Sequence, residues 1–320
     1  MDGHRWWQAP QSIRPPAIAR VRVPGKVNLA LCVGKKSGAF HPLRTVFQAL
    51  NLTDDVQASE LDDGEITVEI RGPQAELVPT DGTDLCARAA KLLRARYGAP
   101  QLGAYIRVDK QIPVAGGMAG GSADAAGTLL ALSRIWEIGL PDPELHQLAA
   151  ELGSDVPFSL AGGVCLAQGR GTELMPLLTR GRYHWAVAFA DHGLSTPEVY
   201  ARFDKTTVKG TPDVPRALID ALIAGDAHAL GATLINDLEV PALDLYPELA
   251  NTLATGRNLP GVIAGLMSGS GPTCVFLCED EATVPGVVEA LAKLPYVRAA
   301  RGTFGPVPGA RFISPEVDVA

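Results

Sequence analysis

Cysteine is scarce in this chain and carries no pattern. Cys32, Cys86, Cys165, Cys274 and Cys278 are spread over 320 residues with no Cys-x-x-Cys pair, so neither a disulfide framework nor a cysteine zinc site is indicated. They read as small buried hydrophobes in a reducing compartment. Apolar runs of membrane-spanning length are missing too, and the first 20 residues, with Trp6, Trp7 and the Pro15-Pro16 pair, hold no apolar core of secretory length. The expectation is a cytoplasmic protein with a poorly ordered extension over residues 1–20. No stripe of Lys or Arg is present either. With 28 basic against 35 acidic residues the net charge is −7, which argues against a surface that grips nucleic acid through its phosphates. The partner expected is a small molecule, bound by local donors, with no nucleic acid and no membrane. Internal repeats and low-complexity tracts are also lacking.

The length suits two domains, and 47 % hydrophobic with 20 % charged residues describes a globular chain. Residues 21–33 read as a strand broken at Pro24-Gly25, and 46–52 as a strand leading into a turn at Asp54-Asp55. Residues 66–70 alternate as an exposed strand. A helix is expected from an N-cap at Thr83 to Tyr97, stopped by Gly98. A strand at 105–108 precedes a helix starting near Ser122, whose apolar face holds Leu129, Leu132 and Ile135. Further helices are expected at 143–152, just after Ser154-Asp155, and at 215–224, 226–235, 247–255 and 282–294. Strands are expected at 164–168, 185–190, 262–267 and 273–277, with a linker near 179–183. Helices and strands segregated in this way indicate an α+β protein rather than a doubly wound sheet. The division is an extension (1–20), an N-terminal domain (21–180) and a C-terminal domain (181–320).

The most informative stretch is Pro113 to Gly127, where Gly116, Gly117, Gly120 and Gly121 put four glycines in six positions before a helical pattern. So bare a segment exposes its own backbone N–H groups. Where it opens a helix, those groups and the positive end of the helix dipole make a seat for phosphate. Small residues that merely let a helix pack closely give the same pattern. No Gly-Lys-Ser/Thr closes the loop, and no acidic residue follows about twenty positions after a G-x-G-x-x-G, so it fits neither familiar nucleotide fingerprint.

Phosphoryl transfer needs a phosphate cradle, a cation against developing charge, and a group that orients or deprotonates the attacking hydroxyl. Lys26 is the only cation between Val23 and Gly34; taken alone, it reads first as a snorkelling edge residue. Asp155 stands where a short helix begins and reads either as a structural N-cap or as a carboxylate held near a substrate hydroxyl. Gly265 to Thr273 (Gly265-Leu266-Met267-Ser268-Gly269-Ser270-Gly271-Pro272-Thr273) is a Gly/Ser turn between apolar strands, either a plain hairpin turn or a second anion-binding loop.

In combination and in this order, Pro24-Gly25-Lys26-Val27-Asn28-Leu29, residues 113–126 and Gly269 to Thr273 resemble the three motifs of the GHMP kinase superfamily (galactokinase, homoserine kinase, mevalonate kinase, phosphomevalonate kinase). Phe40-His41 and Gly153-Ser154-Asp155-Val156-Pro157 resemble, more narrowly, the branch that phosphorylates 4-diphosphocytidyl-2-C-methyl-D-erythritol. The likeness runs from Val21 to about Phe304. It implies a ribosomal protein S5 domain 2-like N-terminal domain, a ferredoxin-like C-terminal domain, and an active site in the cleft between them. It implies ATP as co-substrate, with Mg²⁺ on its phosphates, and a monomer or weak homodimer. Asp155 would be the base and Lys26 the cation. Pro113, Val114, Ala115, Gly116, Gly117, Met118, Ala119, Gly120, Gly121, Ser122 and Ala123 would wrap the ATP phosphates. Asn28 would share the cleft, and His41 would read a cytosine ring stacked between Phe40 and Tyr200.

Several positions depart from the family pattern. Gly25 replaces an alanine, Phe40 a tyrosine, Ala115 and Ala119 glycines, and Ala123 a serine. Asp124 stands where asparagine is common, either facing solvent or helping to hold Mg²⁺; the metal's ligands are otherwise unassigned. Two rivals stay open. One is a superfamily member acting on homoserine or mevalonate, against which the Phe40-His41 and Tyr200 set argues. The other is a non-catalytic sensor on the same fold, against which the presence of both Lys26 and Asp155 argues.

Overall fold

In the computed structural model, residues 17–38, 40–79, 81–206 and 213–314 are described. Trp6, Trp7, Pro15-Pro16 and Ala39 lie outside them. Residues 18–20 of the expected extension are already strand, because Ala19 and Val21 are apolar positions buried in the core.

Two long strands, β1 (Ile18–Val33) and β2 (Leu43–Leu61), pair antiparallel and organise the first sheet. Pro24-Gly25 does not break β1. The register slips there and again between Asn28 and Ala30, as a β-bulge does when a strand must bend and re-aim its side chains. Nor does β2 turn at Asp54-Asp55. Asp54 is fully buried and accepts from the amides of Gln111 and Ile112, and Asp55 pairs with Arg20 and Arg22, so both carboxylates have partners that keep them in strand.

The far half of β2 pairs with β4 (Gly103–Asp109), beside which β3 (Ile66–Arg71) runs parallel. Its near half pairs with β5 (Val164–Gly169), which continues into β6 (Glu173–Pro176). Helix α1 (Leu85–Tyr97) links β3 to β4. Its N-cap is Asp84, whose carboxylate accepts from Ala87 N at 2.9 Å, rather than Thr83, which turns back to Asp81. Gly98, with φ 61°, ends it as expected.

Helix α2 (Gly120–Ile135) is buried nearly all round, lying between α1 and the β1–β2 ribbon. Gly127 permits this approach: a Cβ there would meet Val56 Cγ2 at 2.7 Å and Val23 Cγ1 at 2.9 Å. Asp124, one turn into α2, neither faces solvent nor reaches the cavity described below. It is 4 % exposed and bound by Lys110 Nζ at 2.6 Å, and that ammonium also holds Asp54 at 2.7 Å. Helices α3 (Asp142–Leu152) and α4 (Val156–Ala161) complete this half.

The second sheet is antiparallel throughout, in the order β11 (Val297–Gly305), β7 (Tyr183–Ala190), β10 (Cys274–Cys278), β9 (Val262–Met267). Numbered along the chain this order is 4-1-3-2, with helices between its first and second strands and between its third and fourth. That is the ferredoxin-like β-α-β-β-α-β arrangement. Its strands obey the period of two on both faces. Tyr183, Trp185, Val187 and Phe189 join the core of the first half, whereas Ala186 and Ala188 join a separate core. That second core is covered by α5 (Thr196–Phe203), α8 (Glu239–Leu245), α9 (Glu248–Arg257) and α10 (Val284–Ala292). Trp185 Nε1 donates to Gln48 Oε1 at 2.9 Å, tying the two sheets.

The remaining helices are α6 (Arg216–Ala224) and α7 (Ala227–Gly231); the expected helix at 226–235 ends early because Ile235–Asn236 form a short strand, β8, beside β1. The chain returns as β12 (Arg311–Phe312) to pair with β1. Among the described residues no helix is long and apolar enough to cross a membrane.

Candidate active site

A cavity of about 890 Å³ lies where β1, the loop before α2, the start of α4, the β9–β10 loop and α5 meet, a size suited to holding small molecules. Lys26 and Asn28, two apart and therefore on one face of β1, sit between the two register shifts of the β1–β2 pair. Lys26 is 4 % exposed, and its ammonium donates to Asn28 Oδ1 at 2.7 Å and to Gly117 O at 2.8 Å. Asn28 is oriented in turn by Thr45: its amide donates to Thr45 Oγ1 at 2.8 Å, and that hydroxyl donates to Ala30 O at 2.6 Å. The reading of Lys26 as an edge residue therefore fails. The amine is locked in place, and it faces Asp155 Oδ2 at 3.9 Å.

Burial pulls the Lys26 pKa below its ordinary value, and the Asp155 charge pushes it partly back. In the window between that depressed value and the ordinary one near 10.5, the unfolded chain binds the extra proton. Stability is therefore expected to rise with pH across that window, and kcat to fall there as the ammonium is lost. A kcat–pH profile whose alkaline limb begins only above 10.5 would contradict this assignment. Lys26→Met is expected to lower kcat by about 10²–10³-fold, the effect typical of removing one donor aimed at developing charge. Steady-state kinetics on the folded variant checks it.

Asp155 precedes α4 without capping it: its side chain takes no helix amide, and only its backbone carbonyl accepts from Ser159. The carboxylate is left free toward Lys26 and the cavity. Tyr200 senses the same charge, since burial first, and Asp155 second, push its phenol up to about 12.

The loop before α2 supplies backbone. Ala115, Gly117 and Ala119 have positive φ (53°, 72°, 61°), so the chain zigzags into the helix, and Ala119 at the N-cap offers no side-chain acceptor. Alanine tolerates this region at a cost of roughly 1–2 kcal/mol. The first helical bond from this end is Ala123 N to Ala119 O, which leaves the amides of Gly120, Gly121 and Ser122 ahead of it at the positive end of a buried helix.

Pro113, Ala115, Gly116, Gly117, Ala119, Gly120, Gly121 and Ser122 line the cavity. Val114, Met118 and Ala123 do not. Val114 N is taken by Gln74 Oε1, while the side chains of Met118 and Ala123 are buried in the core. The late Gly/Ser segment is more than a hairpin turn, because it closes on this loop. Ser268 Oγ donates to Gly117 O at 3.1 Å, and a Cβ on Gly117 would lie 2.2 Å from Ser268 O. Gly269, Ser270 and Gly271 all line the cavity.

Phe40, His41 and Tyr200 also line the cavity. The His41 ring lies 5.3 Å from that of Tyr200, with Nδ1 on Gly34 O (2.9 Å) and Nε2 on Asp204 Oδ1 (3.1 Å). Both of its nitrogens are engaged.

Sequence reasoning missed Thr45 and Asn236, whose amide braces the late loop through Met267 O and Gly269 O. It also missed the cavity residues Lys36, Arg170 and Asp204. These polar residues carry no local signature; only the fold brings them to the site.

Two family models match the chain: GHMP kinases N terminal domain over residues 84–163, and GHMP kinases C terminal over residues 218–297. A 4-diphosphocytidyl-2-C-methyl-D-erythritol kinase of Cutibacterium acnes is 49 % identical, over 92 % of this chain and 96 % of its own. Among solved structures, a 4-(cytidine 5'-diphospho)-2C-methyl-D-erythritol kinase superposes with a TM-score of 0.73 at 33 % identity, covering 89 % of this chain and 99 % of that one. A homoserine kinase from Cytophaga hutchinsonii reaches 0.71 at 14 % identity, covering 97 % of this chain and 100 % of that one, a likeness of fold alone. With its Lys26–Asp155 pair, its amide-lined loop and these relatives, the chain belongs to the GHMP kinases, in the family of the 4-diphosphocytidyl-2-C-methyl-D-erythritol kinases.

Proposed function

We propose that this protein transfers the γ-phosphoryl group of ATP to the 2-hydroxyl of 4-diphosphocytidyl-2-C-methyl-D-erythritol, giving the 2-phosphate and ADP in the non-mevalonate route to isoprenoid precursors. The observation that carries the reading is the Lys26–Asp155 approach of 3.9 Å at the edge of an amide-lined loop. In this reading Asp155 accepts the proton as the substrate oxygen bonds to phosphorus and the bond from phosphorus to ADP breaks. Lys26 stabilises charge on the moving phosphoryl group. The free amides of Gly120, Gly121 and Ser122, with the positive end of α2, hold the ATP phosphates.

Mg²⁺ would be held mainly by the nucleotide phosphates and would neutralise their charge. Ser122, which lines the cavity beside those amides, is the residue proposed to offer it a hydroxyl oxygen. Asp124, committed to Lys110, is not. Cytosine stacks between Phe40 and Tyr200. Because the ring nitrogens of His41 are taken by Gly34 and Asp204, His41 reads the base through its backbone. The catalytic domain spans 21–180 and the C-terminal domain 181–320, and the protein works in the cytoplasm as a monomer or weak homodimer without nucleic acid.

The test is to incubate purified protein with MgATP and, separately, the cytidyl substrate, homoserine and mevalonate, following ADP release. Turnover of the cytidyl substrate alone is expected. Turnover only of homoserine or mevalonate would replace this reading with the rival one, and ligand binding without ADP release would make the protein a sensor.

A further inference from the structure

Three Lys and Arg side chains line the cavity, and two of them already face a carboxylate: Lys26 has Asp155 at 3.9 Å, and Lys36 has Asp204 at 3.6 Å. Arg170 has none among the described residues. Its guanidinium carbon lies 4.1 Å from the centre of the Phe40 ring. It sits at the tip of the β5–β6 hairpin between Gly169 and Gly171, both at positive φ (68° and 94°), and the turn is closed by Gly171 N to Gln168 O at 2.9 Å. Phe40 itself is 52 % exposed, an uncommon state for an aromatic side chain beside a cavity.

We infer that Arg170 binds the diphosphate of the cytidyl substrate from its seat on Phe40. This rests on the substrate proposed above. A guanidinium stacked on an aromatic ring keeps its N–H donors in its own plane and free, and that planar fork matches phosphate oxygens. The substrate's diphosphate is anionic, the protein carries a net charge of −7, and Asp155 and Asp204 face the same cavity. A cation not already neutralised is therefore what the diphosphate requires, and Arg170 is the lining residue that supplies it. An aromatic ring has two faces, so Phe40 can seat the guanidinium on one and the cytosine on the other. Recognition of base and diphosphate is thereby joined through one side chain.

The test compares full-length wild type, Arg170→Gln and Arg170→Lys by titration calorimetry with CDP and with cytidine, alongside steady-state kinetics. Gln keeps a planar amide for stacking without charge; Lys keeps charge without the fork. Arg170→Gln is expected to weaken CDP by at least about tenfold, in the range of one charge-assisted hydrogen bond, and cytidine by less than about twofold. Arg170→Lys should fall between. KM for the cytidyl substrate should rise with the CDP loss, with KM for ATP and the melting temperature unchanged. Equal losses for cytidine and CDP would show that Arg170 merely buttresses Phe40 and would overturn the inference, as would unaltered CDP affinity. If wild type itself neither binds CDP nor turns over the cytidyl substrate, the substrate assignment fails first, and the two failures are thereby told apart.

Discussion

Replacing Asp155 by Asn is expected to reduce kcat by about 10²–10⁴-fold, the usual contribution of a positioned general base, with ATP affinity held within a few-fold. The choice of Asn separates the two readings of this residue. Asparagine caps helices about as well as aspartate, so a structural cap would survive the change and activity with it. The carboxylate caps nothing here. Among the described residues its ion pair is with Lys26, and its side chain keeps 31 % of its surface exposed. Loss of the carboxylate removes the proton acceptor while leaving the loop amides and Lys26 in position. Turnover by rapid quench and ATP binding by calorimetry, both on the folded variant, measure the two halves. Wild-type kcat in Asp155→Asn would remove the base from the scheme.

Replacing Lys110 by Met is expected to destabilise the fold by about 3–5 kcal/mol, the cost typical of breaking a buried ion pair from one side. Lys110 is 1 % exposed, and its ammonium joins Asp54 and Asp124, themselves 0 % and 4 % exposed. Without it, two carboxylates remain buried against each other. Burial depresses the Lys110 pKa, but the pull of Asp124 and Asp54 more than offsets it and leaves the amine well above its ordinary value. Burial also drives Asp124 above the usual carboxylate range, with Asp54 adding to the effect and Lys110 opposing it.

The sign for Asp124 follows from linkage. A carboxyl with a raised folded pKa contributes stability below its unfolded value, about pH 4, and loses it as pH rises through the folded value. Asp124→Asn, with no proton to lose in that window, should therefore show a flatter dependence of stability on pH than wild type, whereas Lys110→Met is destabilising. Because Asp54 also receives the amides of Gln111 and Ile112 just ahead of the phosphate loop, Lys110→Met should also raise KM for ATP. Urea midpoints from pH 4 to 8 decide the matter; a Lys110→Met midpoint equal to wild type would show that the cluster carries no stability.

Much of the secondary structure was readable because it depends on neighbours in sequence. The buried positions of α1 recur at helical spacing and Gly98 ends it, and β7 alternates between two cores. The misreadings at Pro24-Gly25, Asp54-Asp55 and residues 226–235 share a cause. Each was judged by local propensity, while the outcome was set by distant partners: Leu50 and Thr53 across the bulge in β2, Lys110 and Arg22 for the aspartates, and β1 for Ile235. Of the cavity, the glycine loop and the pair Lys26 and Asp155 were legible as motifs. The role of Met118 and Ala123 as core, and of Thr45, Ser268 and Asn236 as supports, was not.

Sequence alone determined what chemistry the chain can carry. A bare loop opening a helix, a lone cation on an apolar strand and an uncrowded aspartate are properties of residue type and spacing, and they survive without coordinates. Tertiary structure alone decided that Lys26 and Asp155, 129 positions apart, face each other at 3.9 Å, that Asp124 serves the core, and that, of the Lys and Arg residues lining the cavity, Arg170 is the one without a carboxylate among the described residues. Those outcomes depend on burial and on long-range contact, which set the protonation, orientation and partners of a polar group and which no local window of sequence contains.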